Sequence, residues 1–383
     1  MAHQQYNTTL KEMVGRVLGI KPNMPPSMAE GFINDCLRSI ADRRVNWTGL
    51  VRHSTIYVPN MVTTGTIGLT QDSDSITVSG TTWPVSDVVN TTIPGVINRL
   101  GLQTVVPASM DGIDVDTLLY VDASGNPEVV AVKSITATSF TARFARYHNA
   151  GATATCSSYS GRQLKFGVTY PIYTVLAVTS TTSAKIDLKW FAASASLGYT
   201  LAKLYYTIDP AVKSLLSIVD TSQGIPPLSI NKSVVWLNRM DPQRMATGYP
   251  QAFVNRMPND NGNMIYEMWP TPQQARQLTA MWIEQPGYLS ADDDLIPPFI
   301  NPSMMLMYAA SMCWGTKIGE ADPYFDPPTA NRYMILYENQ LGEAMKADDE
   351  KGGTGVQFDD RVGGIGGANW AQGHDLDVMY GPW

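Results

Sequence analysis

The sequence predicts an α+β fold: a terminal α-helical bundle with a β-sheet region and an inserted β-sandwich or barrel-like domain. Two observations carry that expectation. Apolar residues recur at helical spacing near both ends of the chain, whereas the stretch from about Tyr57 turns to short alternating runs of Thr, Ser, Val and Gly between turn residues. A third narrows it, because no alternation of strands and helices points to a doubly wound sheet and no repeat of solenoid length is present.

Taken in order, Lys11 to Ile20 reads as a short helix ended by Gly19 and Pro22. Ser27-Met28-Ala29-Glu30 matches a capping box and opens a second helix, with Met28, Phe32, Ile33, Cys36, Leu37, Ile40 and Ala41 on one stripe. Gly65 to Thr70 and Ser75 to Ser79 read as a hairpin around Gln71-Asp72-Ser73-Asp74. Leu118 to Val121, Glu128 to Ile135 and Phe140 to Arg146 spell a three-stranded meander. Strand-like runs continue at Val168 to Leu176, Lys185 to Phe191 and Val234 to Leu237, while Ala211 to Val219 fits either state. Asn301-Pro302-Ser303 opens a helix from Met304 to Ile318 that is apolar on most faces, and Asp326-Pro327-Pro328-Thr329 caps another. After Ala347 the composition turns to Gly, Asp and polar residues, which make no core of their own. The division expected is 1–56 N-terminal helices, 57–158 inserted β-domain, 159–300 β-rich core, 301–346 C-terminal helices and 347–383 a Gly-rich extended tail.

The chain has 383 residues, of which 16% are charged, and a net charge of −7. An ordinary soluble domain carries about 25% charge. The acidic balance disfavours wrapping of nucleic acid, which needs clustered Lys and Arg. Cys36, Cys156 and Cys313 form no CxxC pair, so neither a disulfide framework nor a zinc site is expected. Met1 to Ile20 lacks the apolar core of a signal peptide, and no stretch approaches the roughly 18 apolar residues of a membrane span.

Catalytic constellations are missing. His3, His53, His148 and His374 lack metal-ligand spacing, the Gly363 to Gly367 run lacks the Lys-Ser/Thr of a phosphate loop, and no GxSxG elbow occurs. Asp292-Asp293-Asp294 and the Asp111, Asp114, Asp116 run fail the calcium-loop pattern and read as turns. The expectation is a protein that is not an enzyme, with no cofactor and no metal. The 9 Trp, 18 Tyr and 19 Met are more informative, because aromatic and Met side chains favour interface centres. Met304, Met305, Met307, Tyr308, Met312, Trp314, Tyr333, Tyr337, Trp370 and Trp383 are the candidate assembly residues, the first six offering more apolar surface than one amphipathic helix buries.

Between Asp241 and Phe299 the chain runs Asp241-Pro242, Gly248-Tyr249-Pro250-Gln251-Ala252-Phe253, Met264 to Pro272 with its Pro270-Thr271-Pro272, Gln277 to Glu284, Leu289-Ser290 and Ile296-Pro297. This succession resembles the head-to-tail adaptor (connector) proteins of tailed bacteriophages, as does the early helix ending Arg43-Arg44-Val45-Asn46-Trp47. Tyr249 preceding the proline, with Phe253 in the later aromatic position, departs mildly from the family pattern. The resemblance spans residues 27–56 and 200–345; the Thr/Ser-rich β-unit is longer than compact adaptors need.

The resemblance implies a structural virion protein of the neck, between capsid and tail, that passes through the host cytoplasm during assembly. It implies a homo-oligomer, a dodecameric ring beneath the portal protein, that receives a downstream tail or neck protein and lets double-stranded DNA pass its lumen without specific binding; no membrane is involved. The alternatives are another virion component, such as a tail-tube or capsid-associated protein, or a carbohydrate-binding β-domain protein in which Trp83, Tyr147 and Tyr159 stack on sugar.

Overall fold

A computed structural model describes residues 8–43, 47–208, 211–221, 226–259, 261–320 and 322–352. The chain is mostly β, with 35% strand against 23% helix. This corrects the expected α+β class and its terminal helical bundle: the described residues hold five α-helices and 21 strands in several curled antiparallel sheets. The reason lies in the composition of the middle of the chain, where β-branched residues alternate with Ser and Thr over far more residues than the helical stripes occupy.

The chain divides into two compact units. One combines Met1–Ser54, Ala211–Ser217 and Ala280–Trp383; the other combines Thr55–Pro210 and Ile218–Thr279.

In the first unit, α1 (Leu10–Ile20) starts at a true capping box: the Thr9 hydroxyl accepts from Glu12 N–H while Glu12 accepts from Thr9 N–H. The next helix, α2 (Pro26–Arg43), begins one residue before the expected Ser27 cap, because Pro26 has its φ preset for the first helical turn. Helices α4 (Pro302–Gly315) and α5 (Pro327–Gly352) complete the unit's long helices. Asn301 caps α4 through Ser303 N–H. α5 runs through Gly352, past the expected helix end at 346; the remainder of the expected tail lies outside the described residues. These helices do not form a bundle of their own. Their core of Met13, Val17, Ile33, Leu37, Ile40, Met304 and Met305 also takes Ile283 and, at its margin, Leu216 from strand segments.

α4 has no polar face because α1, α2 and α5 all pack on it. Its neighbour α1 is followed by its buried C-cap Lys21, whose ammonium donates to the carbonyls of Cys313 (3.0 Å) and Thr316 (2.6 Å) and to Asp322 Oδ2 (2.6 Å). Both charged side chains are shielded from solvent, 1% and 0% exposed.

In the second unit, the strands of the stretch 57–158 belong to two different sheets. The hairpin Thr66–Leu69 and Ser75–Ser79 joins Ser183–Ile186, Tyr173–Ser180 and Gln163–Lys165. At the two ends of that order sit Ala195–Gly198 and Thr200–Ala202, halves of one run, so the sheet closes on itself as a small barrel. Tyr199 sits at the seam: its hydroxyl donates to the Thr64 carbonyl at 2.9 Å and accepts from Trp83 Nε1 at 3.1 Å. Trp83, Trp190 and Tyr173 fill the interior.

Between Trp83 and Gln163 the chain builds a separate six-stranded sheet: Val89–Ile93, Ala152–Cys156, Leu118–Val121, Glu128–Ile135, Phe140–Phe144 and Gly101–Val105, in that spatial order. All six strands send residues into one core around Leu119, Val132, Phe140 and Ala154, which requires the sheet to curl. The expected meander is present here almost residue for residue.

Val234 to Leu237, expected as strand-like, is instead the start of α3 (Val234–Met240). Ser233 caps it through Trp236 N–H, and only Leu237 is buried, a single-sided burial that suits one short helix. Beyond α3, Asp241 accepts from Met245 and Ala246 N–H at 2.8 and 2.9 Å and from Trp269 Nε1 at 3.1 Å. Arg244 then reaches Glu267, which is fully buried and also receives Arg256 at 2.9 Å.

Lys165 is buried beside this network, donating to the Arg244 carbonyl and, at 3.0 Å, to Thr271 Oγ1. Burial pulls its ammonium down to about 8. In the unfolded chain a lysine titrates near 10.4. Between those values the unfolded chain therefore binds more protons than the folded one, so this group adds stability as pH rises from 8 towards 10. Urea titrations at pH 7, 8, 9 and 10 are expected to show that rise, and Lys165→Met is expected to flatten it; an identical slope in the variant rules out Lys165 as its source.

Candidate functional site

The eight assembly candidates among the described residues do not form one surface. Met304, Met305 and Tyr337 are buried in the core of the first unit, 2%, 0% and 1% exposed. Met307 and Tyr308 pack at the edge of the same core, with Tyr308 edge-on to Tyr337 at 5.1 Å. Met312, Trp314 and Tyr333 are half-buried, Trp314 lying 6.1 Å from the Tyr324 ring. Trp370 and Trp383 fall outside the described residues. The apolar excess of α4 is thus covered by helices of the same chain. Among the described residues of this unit the exposed large apolar side chains include a different pair on α5, Ile335 at 61% and Leu336 at 39%.

The sugar-stacking candidates also separate. Trp83 is 1% exposed inside the barrel, which corrects its expected stacking role. Tyr159 is partly buried beneath Arg162, whereas Tyr147 is exposed.

An open groove of about 1350 Å³ lies within the second unit. It forms where the inserted sheet supplies Asp116 and Lys133, the return segment to the barrel supplies Ser157 to Gln163, and strand Tyr205–Ile208 supplies Tyr205 and Thr207. Four cationic side chains line it: Lys133, Arg162, Lys203 and Arg276. Arg276 pairs with buried Asp220 at 3.1 Å and lies 4.6 Å from the Tyr249 ring. Arg162 donates through Nε to Ser158 O at 2.8 Å and through Nη1 to Asn60 O at 3.1 Å. Lys203 places its ammonium 5.1 Å from the Tyr206 ring.

Asp116 is the groove's carboxylate, and most of its acceptor capacity is in use. Its backbone is left-handed, φ 67°, and its oxygens accept amide N–H bonds from Asn259 and Asn263 (2.8 Å each) and from Asn261. Three neutral donors occupy three of the carboxylate's roughly four acceptor sites. The other acidic runs are likewise spent locally: Asp292 pairs with Lys11, and Asp294 accepts from Ser290 and Ala291 N–H, which hold its carboxyl below the usual range. Among the described residues no group of three His, Cys, Asp or Glu could hold a metal ion.

The histidines and thiols have structural environments. His148 is enclosed between Asp122 (3.2 Å) and Glu128 (2.6 Å), and Asp122 is held below its ordinary range first by Asn126 N–H and next by His148. All three cysteines are buried and free. Burial pushes the Cys156 and Cys313 thiols up to about 11 and Cys36 higher still, so none is a nucleophilic thiolate at neutral pH.

Sequence reasoning missed the groove. Its one available signal is the turn Asn259 to Asn263, with asparagines at alternate positions, but nothing in the sequence says that Asp116 lies opposite it. No described helix is long and apolar enough to cross a membrane. Compared with known proteins, the chain matches no family model and no curated protein.

Proposed function

We propose that the protein is a structural, non-enzymatic component of a tailed-phage virion, a head-to-tail adaptor whose copies form a ring beneath the portal. The observation that carries the reading is the chain's routing. One unit is assembled from both chain ends plus a single short internal segment, while the intervening residues build the β-rich unit. On this reading the helix-bearing unit is the ring-forming part and the β-rich unit is the part that meets another component.

α5 supports the same reading. It is 26 residues long and carries exposed Ile335 and Leu336 beside buried Tyr337 and Leu341 and half-buried Tyr333, Met334 and Met345. A second copy is the occupant that this reading supplies. The low charge and the −7 balance suit surfaces buried between copies and a conduit along which phosphates slide.

The test is electron microscopy of the purified protein mixed with portal. A ring on the portal's narrow end is expected, and Ile335→Glu with Leu336→Glu is expected to leave a folded monomer that no longer forms it. A protein that stays monomeric beside portal removes the adaptor reading.

A further inference from the structure

The groove of the second unit holds cations that no direct ion pair neutralises, although Asp87 acts on Arg162 from beyond ion-pair distance. Arg162 is 7% exposed, yet its described hydrogen bonds go to carbonyl oxygens and its face lies 4.7 Å from the Tyr159 ring. No carboxylate lies within ion-pair distance of Arg162 or Lys203 among the described residues. A guanidinium withdrawn from water without a counter-charge is costly, and an incoming anion removes that cost. Protein atoms crowded around the Lys203 ammonium, and next the adjacent guanidinium, pull it below the ordinary lysine range although the residue as a whole is exposed.

The other lining groups narrow the class of anion. Ser158, Thr174, Gln163, Gln277 and Asn261 present hydroxyls and amides, and Tyr57 stands 69% exposed at the same groove. Duplex DNA carries one charge per roughly 1.7 Å and needs a track of cations, which a −7 chain with three groove cations outside an ion pair, Lys133, Arg162 and Lys203, does not offer. A chain of sugars with widely spaced carboxylates matches instead: amides and hydroxyls meet its hydroxyls, a tyrosine face meets a pyranose ring, and the paired cations meet one acid group.

We propose that this groove binds an acidic oligosaccharide, with a sugar carboxylate seated on Arg162 and Lys203 and Tyr57 against a neighbouring ring. The proposal stands independently of the adaptor reading, since it needs neither a ring nor the portal.

The experiment uses the full-length protein on an array of uronate- and sialate-containing oligosaccharides, each beside its carboxyl-reduced counterpart, followed by calorimetric titration of the best-retained oligosaccharide. Retention of acidic members is expected, with affinity falling at least about 10-fold on carboxyl reduction. Lys203→Gln, an exposed position, is expected to lower affinity by about 10-fold at unchanged melting temperature. Arg162→Gln is expected to lose binding, and Tyr57→Ala to weaken it several-fold. The proposal is overturned if no acidic oligosaccharide is retained, if reduced and acidic forms bind equally, or if Lys203→Gln binds as the unaltered protein does. It is equally overturned if only inorganic phosphate or a duplex DNA oligonucleotide binds.

Discussion

Replacing Lys21 with methionine is expected to destabilise the protein by more than an exposed ion pair is worth, because it leaves the Asp322 carboxylate without its counter-charge. The Lys21 side chain is 1% exposed and that of Asp322 is 0% exposed. The substitution also strips the donor from two carbonyls, those of Cys313 and Thr316. Asp322 keeps Ile318 and Tyr324 N–H at 2.8 and 3.0 Å, which orient it but do not neutralise it. Urea titration followed by circular dichroism measures the loss; a change below about 1 kcal/mol, the size of an exposed pair, would show that the pair is hydrated. The double variant Lys21→Met with Asp322→Leu is expected to recover part of the loss, since no charge is then stranded.

The same pair fixes the sign of the acid response. The Lys21 ammonium is the main reason the Asp322 carboxyl titrates well below the usual carboxylate range. Its contribution is therefore complete above the unfolded value near 4 and is lost as pH falls from there towards the folded value. Comparing unfolding free energies at pH 6, 4 and 3 is expected to show a shallower decline for Asp322→Asn than for the unaltered protein.

Glu267→Ala is expected to have a comparable effect on the β-rich unit, about 3–5 kcal/mol, with two arginines losing one buried partner. Arg244 is the more affected, at 6% exposure. It ties the end of α3 to strand Met264–Trp269, donating to the Asp241 carbonyl, to Asn238 Oδ1 at 2.6 Å and to Glu267. Its left-handed backbone, φ 56°, is held in place by that same set of bonds. Asp292→Asn, which removes an exposed pair with Lys11, is the matched control and is expected to change stability by less than about 1 kcal/mol. Equal losses in the two variants would show that burial does not govern these pairs.

How much was legible differs by element. The helix from Pro302 and the meander from Leu118 to Phe144 were readable because cap, turn and period coincide within a few residues. Val234 to Leu237 was misread because its apolar residues carry no period long enough to separate a helical turn from a strand, and the cap at Ser233 decides it. The meaning of the apolar helix α4 was misread for another reason. Composition shows that a helix needs covering on several sides, but not whether its cover comes from another copy or from helices elsewhere in its own sequence.

The sequence by itself determined local matters: where helices cap, where hairpins turn, how scarce charge is, and that no known catalytic spacing is present. Only the tertiary structure decided that the chain is mostly β, that Ala195 to Ala202 closes a barrel, and that Arg162 and Lys203 share a groove with Asp116 and its three asparagines. The physical reason is range. Caps and turns are set by bonds between residues a few positions apart, whereas barrel closure and the groove depend on contacts between distant segments, chosen by burial of whole sheet faces.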